Sequence, residues 1–170
     1  MPSRAYGSEA VANWFIQKAK DTGCSDLTPM KIQKLVYFAH SWNLGVNGDP
    51  LITDEIQAWR FGPVIYQLYR EFKKYHNQPI KGFASNMRYS NGRLEIHTPV
   101  IDSDDTDGLK ILEKIWDVYS AYTPIQLSKM THEEGGPWHQ VASQYGGSLP
   151  SGVDIPNELI KDYYSQLAAG

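Results

Sequence analysis

The sequence predicts a mainly α-helical single domain with one small β-hairpin, an α+β fold built as a compact bundle of about six helices. Apolar residues recur every three or four positions through most of the chain, which is the period of amphipathic helices. The pair Asn91-Gly92 lies between two short segments of alternating apolar and polar residues, a pattern typical of a hairpin. A chain of 170 residues can bury one core without disulfides or metal. We therefore expect residues 1–170 to form one domain.

The first predicted helix spans residues 8–21, with Ser8 as its N-terminal capping residue. A serine in this position accepts a hydrogen bond from a free amide of the first turn. Gly23 follows the helix, and glycine is the usual residue after a helix C-terminus. The connection to the next helix is short, so we expect the two helices to pack as neighbours.

The second predicted helix has the clearest signals, and the other elements can be arranged around it. Thr28 is a good capping residue, and Pro29 suits the first helical position. The helix extends to about Trp42, and we expect Gly45 to end it. Its apolar face consists of Ile32, Leu35, Val36, Ala39 and Trp42, and Phe38 widens it.

The other face of this helix is polar. Its hydrogen-bonding side chains lie close together over two turns. They are Gln33, Lys34, Tyr37, His40 and Ser41. One interpretation is the solvated side of an amphipathic helix, and the other is a contact surface for a partner.

The remaining helices follow local signals. Residues 51–61 fit either a helix or a short strand, and both alternatives remain open. Further helices are predicted from Val64 to about Tyr75, from the acidic run 102–107 to Tyr119, and from Thr123-Pro124 to Gly135. Pro137-Trp138 begins one more turn or short helix through Val141, and a last helix extends from 158 to about 167 with Asn157 as its cap.

The hairpin is predicted from residues 87–90 and 93–97, on either side of the Asn-Gly turn. Leu94 and Ile96 alternate with polar residues, so one face of the hairpin is apolar. Because two strands alone are only marginally stable, we expect this face to pack on the helices.

Composition excludes several classes of protein. The formal net charge of −3 gives no overall attraction to nucleic acid, so we expect no direct DNA binding. No segment approaches the roughly 20 apolar residues that cross a membrane. Cys24 is the only cysteine and no signal-like run opens the chain, which fits a protein of the reducing cytoplasm. The one hint of a basic patch is the set Lys18, Lys20, Lys31, Lys34, Arg70, Lys73 and Lys74.

Motifs for catalysis or metal binding are incomplete. His132-Glu133 resembles the start of a helical zinc motif, but the next histidine is His139, and residues 135–137 interrupt the helix. The acidic run from Asp102 has no glycine where a calcium loop needs its sharp turn. We therefore expect a non-enzymatic protein without a cofactor. A metal-dependent hydrolase or nuclease using His132, Glu133 and His139 is kept as an alternative.

Three segments taken together are specific. They are residues 27–40, 56–64 and 127–138, and their order and separation resemble the Panacea-domain family of phage-associated proteins. The resemblance covers about residues 5–141, and residues 142–170 form a C-terminal connector and helix outside it. The third segment departs from the family pattern at Gly136, where a serine is expected.

The resemblance implies an antitoxin that neutralises a cognate toxin by direct binding. Some relatives deliver their toxin to a protease, so a proteolytic adaptor, or a phage protein that interacts with the host, is the alternative. Many relatives carry a DNA-binding segment before the domain. The first helix here begins near residue 1, so we expect no such segment.

The predicted partner-binding residues combine the polar face of the second helix with the second family segment. They are Gln33, Lys34, Tyr37, His40, Trp59, Arg60 and Phe61. Aromatic and arginine side chains supply most of the binding energy in protein interfaces. For Trp59 and Phe61, packing in the core is the competing interpretation. The sequence names neither the toxin nor the oligomeric state.

Overall fold

A computed structural model describes residues 4–170. The described residues form seven α-helices: α1 Ser8–Thr22, α2 Pro29–Asn47, α3 Tyr66–Phe72, α4 Thr106–Tyr119, α5 Pro124–Thr131, α6 Pro137–Ala142 and α7 Asn157–Ala169. They also form five strands: β1 Ile56–Trp59, β2 Gly62–Val64, β3 Asn86–Ser90, β4 Arg93–His97 and β5 Asp154–Ile155. Short 3₁₀ turns follow α3 and α6. The predicted mainly helical α+β class is confirmed.

Helix α2 begins where the sequence predicts and ends one turn later. The Thr28 hydroxyl accepts a hydrogen bond from the backbone N–H of Lys31 at 3.3 Å, and Pro29 is the first helical residue. The helix continues through Gly45 and ends at Gly48, which has a φ of 82°. The prediction that Gly45 ends the helix is wrong, because Gly45 allows the backbone of α7 to approach closely. A Cβ atom on it would lie 2.7 Å from the carbonyl carbon of Tyr164.

The core surrounds α2 on nearly all sides. Ile32, Leu35, Val36 and Ala39 are fully buried, and helices α1, α4, α5 and α7 all contact α2. A helix that is buried all round belongs to the centre of a domain. The predicted apolar face therefore accounts for only part of the α2 surface that is buried.

Helix α1 begins at Ser8, as predicted, but its capping residue is not the predicted one. Gly7 is its capping residue, and Ser8 lies within the first turn. The backbone N–H and the hydroxyl of Ser8 both donate to the carboxylate of Asp54, at 2.8 and 2.9 Å. A carboxylate from a distant loop thus takes the role predicted for the Ser8 side chain. Gly23, with a φ of 70°, follows the helix as predicted.

Residues 56–59 form a strand, which decides between the two alternatives left by the sequence. Strand β1 is the centre of a three-stranded antiparallel sheet in the order β2-β1-β5. Trp59 pairs with Gly62 across a tight turn that contains Arg60 and Phe61. Because β2 extends to Val64, helix α3 begins at Tyr66, two residues later than predicted.

The β3–β4 hairpin forms at the predicted turn, and Ser90 pairs with Arg93. Its apolar face is exposed, so the prediction that this face packs on the helices is wrong. The members of that face are Met87, Tyr89, Leu94 and Ile96. The hairpin is held at its base, where the Asn13 amide donates to the carbonyls of Ala84 and Pro99, both at 2.9 Å. This anchor replaces the apolar contact that we expected.

Helix α7 packs against the part of α2 that carries Tyr37, His40 and Trp42. Pro156 precedes the helix, and Asn157 is its first residue rather than its cap. The Tyr164 ring packs on Trp42, with 5.0 Å between ring centroids. No helix among residues 4–170 is long and apolar enough to cross a membrane.

Candidate partner-binding site

The predicted site residues on α2 are buried. Less than a tenth of the surface of each is exposed for Gln33, Lys34, Tyr37 and His40. Each of the four side chains is packed against neighbouring elements, so this face is not the solvated side of an amphipathic helix. This group makes contacts within the protein.

Gln33 and His40 hold loops against α2. The Gln33 amide donates to the carbonyl of Ile65 at 3.0 Å and accepts from its N–H at 2.9 Å, which fixes the residue before α3. His40 Nδ1 accepts from the backbone N–H groups of Leu51 and Ile52, at 3.2 and 3.3 Å. His40 Nε2 then donates to Asn157 Oδ1 at 2.8 Å. This arrangement requires a neutral imidazole, and burial lowers the pKa of His40 in agreement with it.

Tyr37 lies in an aromatic cluster between α2 and α7. Its ring centroid is 5.6 Å from that of Phe38 and 6.4 Å from that of Tyr164. Burial raises the pKa of the Tyr37 phenol well above its usual range. The hydroxyl therefore stays protonated as part of the core.

Lys34 is buried beneath the β1–β2 turn. Its ammonium donates to the carbonyl of Pro63 at 2.9 Å. Burial lowers the pKa of Lys34 to about 7, because removing a charged amine from water disfavours the charged form. A lysine in this condition is half protonated near neutral pH.

The β1–β2 turn exposes the other predicted residues. Phe61 is 61% exposed, and the Arg60 guanidinium lies over its ring, 5.4 Å from the centroid. Trp59 is half-buried, with its ring centroid 4.8 Å from that of Tyr69. Its carbonyl accepts from the indole N–H of Trp138 at 2.7 Å, which ties the turn to α6. The Trp59 ring thus packs on exposed tyrosines rather than in the core, and core packing does not explain Phe61 either.

A pocket of about 840 Å³ lies beside this turn, within the range of about 300–1,000 Å³ that is usual for ligand pockets. Five of the seven predicted site residues line it. The lining residues are Pro29, Met30, Gln33, Lys34, Trp59, Arg60, Phe61, Val64, Tyr69, Lys73, Lys74 and His76. Tyr37 and His40 lie elsewhere, between α2, α7 and the loop before β1.

Comparison with known proteins assigns the family. The sequence model of the family described as "Antitoxin SocA-like, Panacea domain" matches residues 32–139. The chain belongs to this family. It is also 33% identical over 159 residues to Antitoxin SocA of Caulobacter vibrioides (strain NA1000 / CB15N), a match that covers 92% of this chain and 81% of that protein. No solved structure matches the chain. The resemblance carried by the three sequence segments is confirmed.

In this Panacea-domain protein, His132 joins α5 to the β1–β2 turn. His132 Nδ1 lies 2.6 Å from the carbonyl oxygen of Ser128, and Nε2 lies 3.2 Å from that of Arg60. Both ring nitrogens thus face backbone carbonyls. His139 Nδ1 accepts from the N–H of Gly135 at 3.1 Å. Residues 4–170 contain no group of three His, Cys, Asp or Glu side chains placed to hold a metal ion.

Seven residues that line the pocket were not predicted as site residues. Three of them are Tyr69 on α3, and Lys73 and Lys74 in the 3₁₀ turn that follows it. The two lysines were recognised only as part of a diffuse set of basic residues. The signal that finds them is the short distance along the chain from the β1–β2 turn to α3. A helix that follows a tight turn so closely must lie beside it.

Proposed function

We propose that this chain is an antitoxin that neutralises a cognate toxin by direct protein–protein binding. The observation that carries the proposal is the 33% identity to Antitoxin SocA over 92% of the chain. Membership of an antitoxin family supports a role in which the chain binds a protein rather than one in which it acts as a catalyst.

We place the binding surface at the β1–β2 turn and its pocket. Phe61 and Arg60 are exposed and in contact with each other, and aromatic and arginine side chains are enriched among residues that dominate binding energy. The surface includes Trp59 and leaves out Tyr37 and His40, which the core encloses. Gln33 supports the surface through Ile65.

The test begins with the product of the neighbouring gene, expressed alone and together with this chain. We expect toxicity alone and rescue by this chain. Substituting Phe61→Ala or Arg60→Ala should weaken toxin binding by about 2 kcal/mol each, about 30-fold, because each removes an exposed anchor. Titration calorimetry with purified proteins measures the change.

Phe83→Ala is the matched control. It removes the same ring at an exposed position beside α1, where Lys20 covers it, and we expect unchanged affinity. If no neighbouring product is toxic, the antitoxin function is wrong. If Phe61→Ala and Phe83→Ala have the same toxin affinity, the antitoxin function stands but the proposed binding surface is wrong.

The same strains separate occlusion of the toxin from delivery to a protease. An occluding antitoxin leaves the amount of toxin unchanged or higher, because binding protects it. An adaptor shortens the lifetime of its toxin after protein synthesis is stopped. We propose occlusion, and faster loss of the toxin in the presence of this chain would replace it with the adaptor function.

A further inference from the structure

The pocket beside the β1–β2 turn has charge of one sign. Lys34, Arg60, Lys73 and Lys74 line it together with His76, and its lining includes no Asp or Glu. The chain as a whole has a formal net charge of −3. The exposed cations Arg60, Lys73 and Lys74 are therefore a local feature of an acidic protein, and they attract anionic groups.

The wall of the pocket is apolar and aromatic. Trp59, Phe61 and Tyr69 contribute rings, and Met30 and Val64 contribute aliphatic surface. Tyr66 is exposed next to the pocket, with its ring centroid 6.3 Å from that of Tyr69 in the wall. The apolar surface thus continues outside the pocket, beyond what a small ion would cover. Such a surface suits a protein segment with an apolar anchor.

Two buried lysines on α2 differ in how their charge is compensated. Lys31 donates to Asp26 Oδ1 at 2.7 Å and to the carbonyls of Ser120 and Tyr122 at 2.6 and 2.8 Å, which uses all three donors of its ammonium. Lys34 makes one hydrogen bond within residues 4–170, to Pro63. A buried charge without an anion is costly. An anionic partner beside Lys34 would lower that cost.

We propose that this pocket binds an acidic segment of the toxin that carries an aromatic or large aliphatic side chain. The anchor side chain packs among Trp59, Phe61 and Tyr69, and flanking Asp or Glu carboxylates pair with Arg60, Lys73 and Lys74. The proposal rests on the antitoxin function proposed above and names the chemistry of the partner segment. Because Lys73 and Lys74 are exposed, their part of the binding is weakened by salt.

The test uses the purified full chain and a random peptide library displayed on phage. We expect enrichment of peptides that combine an apolar anchor with two or more acidic residues. The double variant Lys73→Glu/Lys74→Glu should bind the enriched peptides about tenfold or more weakly, and raising the salt concentration should weaken wild-type binding.

A matched control makes the same change of charge on the exposed side of α4, with Lys110→Glu/Lys114→Glu. We expect its peptide binding to equal that of the wild type. Equal losses in both double variants, or enriched peptides without acidic residues, would overturn the proposal. Inorganic phosphate or free glutamate that displaces the peptides at equal concentration would show a small-anion site and overturn it as well.

A toxin arm separates this proposal from the function on which it rests. Lys73→Glu/Lys74→Glu should lose rescue of growth, and substituting the contacting acidic residues of the toxin by lysine should restore it. If the double variant still rescues growth, the antitoxin function stands but the proposed role of the pocket is wrong. If no toxic partner exists, the antitoxin function is wrong, and the peptide-binding experiment still tests the pocket.

Discussion

Lys34 is a buried lysine whose pKa lies well below its ordinary value. Its ammonium lies beneath the β1–β2 turn and donates to one carbonyl, and burial lowers its pKa to about 7. The ordinary value of 10.5 applies to the unfolded chain. Between these two values the unfolded chain holds a proton that the folded chain has lost, so the free energy of unfolding rises with pH. Lys34 therefore makes the fold less stable at neutral pH than at alkaline pH.

Substituting Lys34→Met should remove this dependence. We expect the free energy of unfolding of the wild type to rise with pH above about 7 by up to about 1.4 kcal/mol per pH unit from this residue. The difference between wild type and variant isolates that part, because the other groups titrate in both. Urea unfolding followed by tryptophan fluorescence at several pH values measures it. Lys110→Met, which replaces an exposed lysine, is the control, and its free energy of unfolding should change with pH as that of the wild type does. If all three proteins show the same change with pH, the dependence does not come from Lys34.

The residue types of the site could be predicted from sequence, but their exposure could not. Trp59, Arg60 and Phe61 were found because they belong to the second family segment. Tyr37 and His40 share a helix face with Lys34, yet whether a face is covered depends on distant residues. The partner of His40 is Asn157, 117 positions along the chain. Periodicity shows which side chains share a face and carries no information about what packs on it.

At the scale of elements, helix starts and turns were predicted well and strand pairing was not. Thr28-Pro29, Thr123-Pro124 and Asn91-Gly92 fix their elements through contacts within a few residues. Strand β1 pairs with β5, almost a hundred residues away, over only two residue pairs. Such a short pairing leaves almost no trace in the pattern of apolar residues. The same limit explains why residues 51–61 fitted two kinds of structure.

Gly45 tests how closely α2 and α7 approach. Alanine favours a helix over glycine by about 1 kcal/mol, so Gly45→Ala would stabilise an isolated α2. In the folded protein the added Cβ would lie 2.7 Å from the carbonyl carbon and 2.9 Å from the carbonyl oxygen of Tyr164. We expect a net loss of about 1–3 kcal/mol in the free energy of unfolding, since the backbone of α7 must move. Chemical denaturation measures it.

Val46→Ala is the control for this substitution. Val46 is the next residue on the same helix and is exposed, so we expect a change within about 0.5 kcal/mol. A stabilised Gly45→Ala variant would show that α7 yields easily and that the helix pair is less tightly fixed than the contacts indicate.

At the scale of the whole molecule, the C-terminal helix completes the core. Tyr164 packs on Tyr37 and Trp42, and Asn157 bonds to His40. The C-terminal segment falls outside residues 32–139, which the family model covers. Sequence analysis assigned it no role, because its contacts are all distant in the chain. The structure makes it a cover for the helix on which the fold is built.

A chain that ends at Pro156 should therefore lose its cooperative unfolding transition. Without α7, the Tyr37 ring and the Nε2 of His40 lose their enclosing partners, and aromatic burial worth several kcal/mol disappears. Near-ultraviolet circular dichroism and urea unfolding give the readout. A chain ending at Ser165, which removes only exposed residues, should unfold like the wild type. A cooperative transition at the same urea concentration in both truncated chains would show that α7 is dispensable.

Because α7 covers α2 and follows it in the chain, the core is completed only late in synthesis. Ribosomes make the chain from its N-terminus. Helix α2 is therefore synthesised well before Asn157, which bonds to His40 of α2 and lies 117 residues after it. Until that helix emerges, the nascent chain exposes aromatic side chains that the finished protein encloses. Each interrupted round of translation before residue 157 yields a fragment that chaperones and proteases recognise. New functional protein therefore comes only from chains that have been completed through α7.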